Sequence, residues 1–257
     1  TQSRSSAASD VYKRQTYRFK EMLKERIITS TDMNFIKTLI ELNHEKIVEI
    51  KYKGGIERIS SIIDAAKAKG VYVSKSDTKD LRLSMTFYPE EIKNINFLED
   101  LIFNKKNLFF LILDRIQDPQ NLGSIFRTSL GVNVDAIIVP NKHSCRLTNT
   151  VREVSKGATE VIPMISVSNL AKVAKFLIQN NVNIFSCSGK SEMNFYEANF
   201  KQSLALIFGS ENDGVSKNLE ELASEKIKIP MDAKLESLNV SNASSVILFE
   251  VFRQREL

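Results

Sequence analysis

From residue 108 onward, short continuous apolar runs alternate with segments whose apolar positions recur every third or fourth residue. Residues 108–113 are apolar throughout, the pattern of a strand buried on both faces. Residues 119–130 read as a helix, with Pro119 in the first turn and Gly131 beyond the end. Residues 134–139, followed by Pro140, predict a second buried strand, and 151–156 fit a short helix. Ser168 can cap a helix reaching Asn180, with Leu170, Val173, Ala174 and Leu177 inside. Residues 184–187, 204–208 and 227–229 predict further strands, the last stopped by Pro230. In a final helix over 241–253, Val246, Ile247, Phe249 and Phe252 are expected to face the core, interrupted by Glu250. Strands and helices in this alternation predict an α/β domain, a mostly parallel sheet with helices on both faces, over 108–257.

Residues 16–90 carry the pattern of a separate small α/β domain. Met33, Ile36, Ile40 and Leu42 give helical spacing over 31–43. Residues 47–52 read as a strand ended by Gly54 and Gly55. A helix over 56–69 places Ile59, Ile62, Ile63 and Ala66 on one face, with Gly70 as its C-terminal cap. Residues 71–73 predict a second strand. No clear period emerges over 81–106, and the polar stretches at 89–91 and 104–107 suggest a linker over 91–107. Residues 1–15 show no apolar period and read as a disordered tail. Part of it, SSAASDVYKRQ, resembles translated sequencing-adapter sequence, so it is set aside from fold reasoning.

Composition narrows the classes. The 257 residues hold 42% apolar and 26% charged side chains, which fits one or two globular domains. No apolar run approaches the roughly 18–20 residues of a bilayer span, and no apolar signal segment is seen near the start. Two cysteines, Cys145 and Cys187, cannot make a disulfide framework and fit a reducing cytoplasm. With only His44 and His143 beside them, a metal site is not expected. The net charge of +5 permits a nucleic-acid partner. Its distribution says more: residues 107–257 balance 16 basic against 16 acidic side chains, so the excess lies entirely before residue 107.

Three segments carry candidate chemistry. Residues 114–127 run from the end of a buried strand into a helix, where parallel sheets bind ligands. A helix starting near Asn121 would present an N-terminus able to receive an anion, and Arg127, among Ile125, Phe126 and Leu130, can fork onto a phosphate. Residues 206–216 place an acidic loop between Gly209 and Gly214, directly after a strand. Its carboxylates would repel a pyrophosphate, so a cationic or adenosine-like ligand suits it better. Residues 229–244 mix Ser and Asn, which readily bond nearby backbone, with Leu238 and Val240, which require burial.

Together and in this order, the segments resemble the SpoU (TrmH) branch of the SPOUT RNA methyltransferases. The N-x-G-x-x-x-R pattern falls on Asn121, Gly123 and Arg127; G-x-E-x-x-G falls on Gly209, Glu211 and Gly214; E-S-L-N-V-S-N-A occupies 236–243. Residues 155–160 resemble the S-x-G-A-x-E stretch of the same family. The resemblance implies a C-terminal trefoil knot, an exception to the rule against knots. It also implies a homodimer, and S-adenosylmethionine held by Gly209, Ile229, Met231, Ser237, Leu238 and Asn239. The implied reaction is methylation of a ribose 2′-hydroxyl in RNA, with Arg127, Asn121, Glu211, Ser237 and Asn239 as the catalytic set. An arginine with a pKa above about 12 is a poor base, so Arg127 is expected to clamp phosphate and stabilise alkoxide charge.

The first domain resembles, more weakly, the small ribosomal-protein-like unit that precedes the catalytic domain in several family members. That resemblance implies an RNA-binding role, with Lys51, Lys53 and Arg58 among its candidate contacts. Lys142, His143 and Arg146, in a polar loop after a strand, form a second candidate RNA contact. The expected substrate is 23S rRNA, with a guanosine among the candidate targets. The alternatives are a tRNA 2′-O-methyltransferase and an RNA-binding protein of the same fold without turnover.

Overall fold

A computed structural model describes residues 27–54, 57–76, 78, 81–189, 191–232 and 234–256. The expected tail over 1–15 and the side chain of Arg58 lie outside the described residues. The chain divides into two compact units at Pro89/Glu90.

In the first unit the order is β1 (Ile28–Ser30), α1 (Met33–Leu42), β2 (Ile47–Tyr52), α2 (Glu57–Ala68), β3 (Val73–Lys75) and β4 (Leu83–Phe87). The sheet order is β1-β4-β2-β3, antiparallel except for β2 with β3. Asp32 caps α1 by accepting from the Phe35 amide at 2.9 Å. Phe35, Ile36 and Leu39 of α1 and Ile59, Ile62 and Ile63 of α2 pack with Ile50, Met85 and Phe87. The strand expected at 71–73 begins two residues later. Val71 instead closes α2, its amide donating to Ala66 across Gly70 at φ +76°.

The second unit runs through α3 (Ile95–Asn104), β5 (Phe109–Asp114), α4 (Pro119–Gly131), β6 (Ala136–Pro140), α5 (Asn149–Val154), β7 (Met164–Val167) and α6 (Leu170–Gln179). It continues through β8 (Asn183–Cys187), β9 (Met193–Asn194), β10 (Leu204–Gly209), α7 (Lys217–Glu220), β11 (Glu225–Lys228) and α8 (Val240–Glu256). Its seven strands, ordered β7-β6-β5-β10-β8-β11-β9, are all parallel. Strand alternation feeds two cores. Phe109, Leu111 and Leu113 of β5 and Leu204, Leu206 and Phe208 of β10 join α4 and α8 on one face. Phe110, Ile112, Ala205 and Ile207 join α3 and α6 on the other.

Several expectations required correction. Residues 91–107 are not a linker: Asn94 caps α3, Leu98 is fully buried, and Lys93 bonds Met164 and Ser166 beside β7. The spacing of Ile95, Leu98, Leu101 and Ile102 carried that helix, but the polar residues on either side obscured it. Asn169, not Ser168, caps α6, accepting from the Lys172 amide at 2.9 Å. On α8 it is Ile247, Leu248 and Val251 that fill the core, whereas Val246 and Phe249 remain 41% and 55% exposed.

The topology sets the site. From β5 the chain moves to β6 on one side; from β10 it moves toward β11 on the other. The carboxyl ends of β5 and β10 therefore form a switch point of the sheet, where parallel α/β folds bind ligands. Asp114 and Gly209 are paired in register at that edge.

Candidate active site

Two loops leave this edge. The first leads from Asp114 through Arg115 to α4. Asp118 caps that helix, its carboxylate accepting from the Gln120 amide at 3.0 Å, and Pro119 fills the first turn. The helix starts earlier than Asn121, and its N-terminus already holds a carboxylate, which corrects the expectation of an open anion site there. Asn121, in the first turn and only 6% exposed, is instead aimed at the second loop.

The second loop leaves β10 at Gly209 and folds back on it. The Gly214 amide donates to the Ser210 carbonyl at 2.9 Å, and a bridge joins Ser210 to Gly214. A Cβ at Gly209 would lie 2.0 Å from the Gly214 carbonyl carbon, so glycine is required there, and Gly214 takes φ +64°, a conformation that glycine adopts without strain. The fold-back presents the Glu211 carboxylate to Asn121, whose side-chain amide donates to it.

A third segment completes the cluster. Asn239 lies just before α8, its Oδ1 accepting from the Ser241 amide at 2.9 Å and the Ser241 hydroxyl at 2.6 Å. Its amide donates to Asn121 Oδ1 at 2.9 Å. A continuous chain from Asn239 to Asn121 to Glu211 thus ties together all three segments singled out in the sequence. Beside it, a cleft of about 370 Å³ is lined by Arg115, Gln117 and His143 facing residues 210–213.

The other expected residues divide clearly. Ile229 and Leu238 are half-buried, whereas Met231 and Ser237 are exposed. Arg127 is exposed, and among the described residues no hydrogen bond or ion pair engages its side chain. Six residues along a helix turn it roughly 120° away from Asn121, so one chain does not bring the two together. Lys142 and Arg146 are exposed in the loop after β6, where His143 adopts φ +58°. In the first unit Lys51 and Lys53 are exposed, Lys51 lying 3.4 Å from Glu49. Sequence reasoning gave no role to Arg115 or Asp213, whose side chains pair at 3.1 Å. An arginine directly after a strand, facing an acidic loop, was the available signal.

The stretch over 155–160 serves as support. Gly157 takes φ +88°, and the fully buried Glu160 accepts from the Arg152 guanidinium, from the Thr159 hydroxyl at 3.0 Å and from the Glu90 amide at 2.6 Å. The Cys145 thiol is pushed up by burial and then by the charge of Asp118, which leaves it a poor nucleophile. Among the described residues no group of three His, Cys, Asp or Glu is placed to hold a metal ion, and no helix is long and apolar enough to cross a membrane.

A parallel α/β domain with its polar cluster at the sheet's switch point, built from an Asn–Gly–Arg helix, a Gly–Glu–Gly loop and an Asn-rich cap, defines a methyltransferase of the SpoU class. The model of the SpoU rRNA Methylase family matches residues 108–249, and the chain belongs to that family. The chain is 33% identical over 232 residues to the 23S rRNA (guanosine-2'-O-)-methyltransferase RlmB of Pectobacterium atrosepticum, covering 86% of this chain and 95% of that protein. It is equally identical to the Escherichia coli RlmB, covering 96% of it. Among solved structures, the SpoU methyltransferase AviRb from Streptomyces viridochromogenes shares the fold at a TM-score of 0.71 over 91% of both chains, with 18% identity.

Proposed function

We propose that this protein transfers a methyl group from S-adenosylmethionine to the ribose 2′-hydroxyl of a guanosine in 23S rRNA. The observation that carries this reading is the Asn239–Asn121–Glu211 chain, because it unites three separate motif segments at one edge of the sheet. Curated relatives with that activity, matching over both units, supply the substrate.

The residues present suit the cofactor. Ile229 and Leu238 offer half-buried apolar walls, Ser237 and Asn239 polar groups, and the acidic loop at 211–213 an environment favourable to a sulfonium. When bound, S-adenosylmethionine supplies an electrophilic methyl group, so orientation of the hydroxyl contributes much of the rate. Asn121 and Glu211, already fixed to each other, orient the ribose. Ser237 and Asn239 contact it from the segment before α8. Arg127 grips the flanking phosphate and stabilises charge developing on the 2′-oxygen.

Because Arg127 points away from its own Asn121, it serves the cluster of a second copy. The exposed Val246 and Phe249 on α8 supply apolar surface for that homodimer. The C-terminal part of this unit is read as forming the trefoil knot that the family resemblance implies. Lys51 and Lys53 of the first unit are candidate contacts for RNA phosphates, and Lys142, His143 and Arg146 form a separate candidate contact on the second.

The test incubates the full chain with S-adenosylmethionine and 23S rRNA, then digests the RNA for mass spectrometry of nucleosides. Appearance of 2′-O-methylguanosine is expected. A methylated base, or methylation confined to tRNA, overturns the reading. Co-expression of an Arg127→Ala subunit with an Asn121→Ala subunit tests the shared site: mixed dimers should recover activity that neither variant shows alone.

A further inference from the structure

Arg115 stands where β5 ends, and its backbone takes φ +63°, a conformation that L side chains other than Asn and Asp rarely adopt. Its guanidinium reaches three acceptors: Asp213 Oδ2 at 3.1 Å, the Gly214 carbonyl at 3.4 Å and Asp114 Oδ1 at 3.3 Å. The other oxygen of Asp114, a buried side chain, accepts the Ser216 amide at 2.8 Å. Two adjacent residues therefore hold the acidic loop at Asp213, Gly214 and Ser216, while Gly209 fixes its foot. Glu211, which accepts from the Asn121 side chain, lies between these anchors.

We propose that Arg115 is a positioning residue for methyl transfer, holding the loop so that Glu211 meets Asn121 and offsetting the charges of Asp114 and Asp213 beside a polyanionic substrate. The inference rests on the reaction proposed above. Without the guanidinium, the Asp213 side chain and the Gly214 carbonyl lose their hold on the end of β5, and the loop keeps the Ser210–Gly214 turn, the Asp213 amide on the Ser210 hydroxyl and the Ser216 amide on Asp114. The left-handed backbone also separates a positioning role from a merely structural one. Glycine at 115 relieves the backbone conformation while removing the grip. A purely structural arginine gives variants whose activity follows their stability.

The experiment compares wild type, Arg115→Gly, Asp213→Asn and the double variant as full chains. It measures methyl transfer, thermal unfolding and amide hydrogen exchange. For Arg115→Gly, kcat is expected to fall by about tenfold or more, with Tm unchanged or higher and exchange accelerated at 210–216. Asp213→Asn should show a smaller loss, and the double variant should be no worse than Arg115→Gly, because both remove one interaction. Wild-type turnover in Arg115→Gly, losses that add independently, or unchanged exchange at 210–216 overturns the proposal. A wild type that transfers no methyl overturns the reaction instead, and exchange then decides the grip alone.

Discussion

The side-chain amide of Asn121 donates to the carboxylate of Glu211 across 90 residues of sequence, and the same side chain accepts from Asn239 through its carbonyl oxygen. An asparagine can serve both neighbours because it carries a donor and an acceptor on one rigid plane. Neither aspartate, which lacks the donor, nor a hydroxyl, which lacks the reach, reproduces that arrangement.

Asn121→Asp places a second carboxylate against Glu211 in a nearly buried position, where like charges repel. The expected result is a fall in kcat of about 10²-fold or more at saturating cofactor, by analogy with loss of one preorganised donor. Asn121→Ala should lose activity comparably and destabilise the fold by about 1–3 kcal/mol, since Asn239 and Glu211 both lose a partner. Steady-state methyl transfer together with urea unfolding checks both. An Asn121→Asp variant with wild-type kcat sinks the orienting role.

Gly209→Ala tests the fold-back of the acidic loop. The new methyl group would meet the Gly214 carbonyl carbon at 2.0 Å, its oxygen at 2.1 Å and the Val215 nitrogen at 2.2 Å, all backbone atoms. The loop must open, which separates Glu211 from Asn121. Calorimetry should show cofactor affinity falling by about tenfold or more, because Gly209 also belongs to the proposed cofactor wall. Gly131→Ala is the matched control: nothing lies within 4 Å of the added carbon at the end of α4. That change should leave binding intact and add about 0.5–1 kcal/mol of stability.

Much of the second unit was legible in the sequence because its strands are buried on both faces and thus uninterrupted by polar residues. Residues 108–113 and 204–208 match β5 and β10 to within one residue. The motif residues were legible too, but their contacts were not. Hydrogen bonds spanning 90 and 118 positions depend on strand order, which periodicity does not specify. Where local pattern competed with context, context won. The polar ends of α3 read as a linker, although Leu98 packs under the sheet. Val246 and Phe249 read as core by hydrophobicity, although α8 turns them outward. The sequence near Arg115 carries no sign of its partner Asp213, which lies 98 residues away.

The buried Arg152–Glu160 pair offers a stability test independent of catalysis. Glu160 is fully buried and receives the Arg152 guanidinium, whose other nitrogen donates to the Glu90 carbonyl at 3.0 Å. Glu160→Ala leaves the buried Arg152 charge without its carboxylate and should cost about 3–5 kcal/mol in urea unfolding. Replacing both residues by apolar side chains of similar volume should recover most of that loss. Recovery of nothing by the double replacement would place the loss elsewhere, in the backbone of 155–160.

The helix α8 carries a pH-dependent contribution to stability. Glu250 accepts from Arg253 Nε at 2.8 Å and Nη2 at 2.7 Å, and from Gln254 at 2.8 Å. Those bonds, Arg253's first, hold its carboxyl below the ordinary value of 4.5, against the opposing pull of burial. The unfolded chain therefore takes up this proton at higher pH than the folded one. The contribution is fully present above the ordinary value and disappears as pH falls through the lowered one. In Glu250→Gln the side chain no longer titrates. The stability difference between wild type and this variant should thus hold constant from about pH 8 to 5 and narrow steadily below about pH 4, within the range typical of a carboxylate. Urea unfolding at half-unit intervals measures it. The pair is largely open to solvent at Arg253, so raising the salt concentration should shrink the whole difference. A gap that persists unchanged down to pH 3 would show that Glu250 acts through packing and not through its charge.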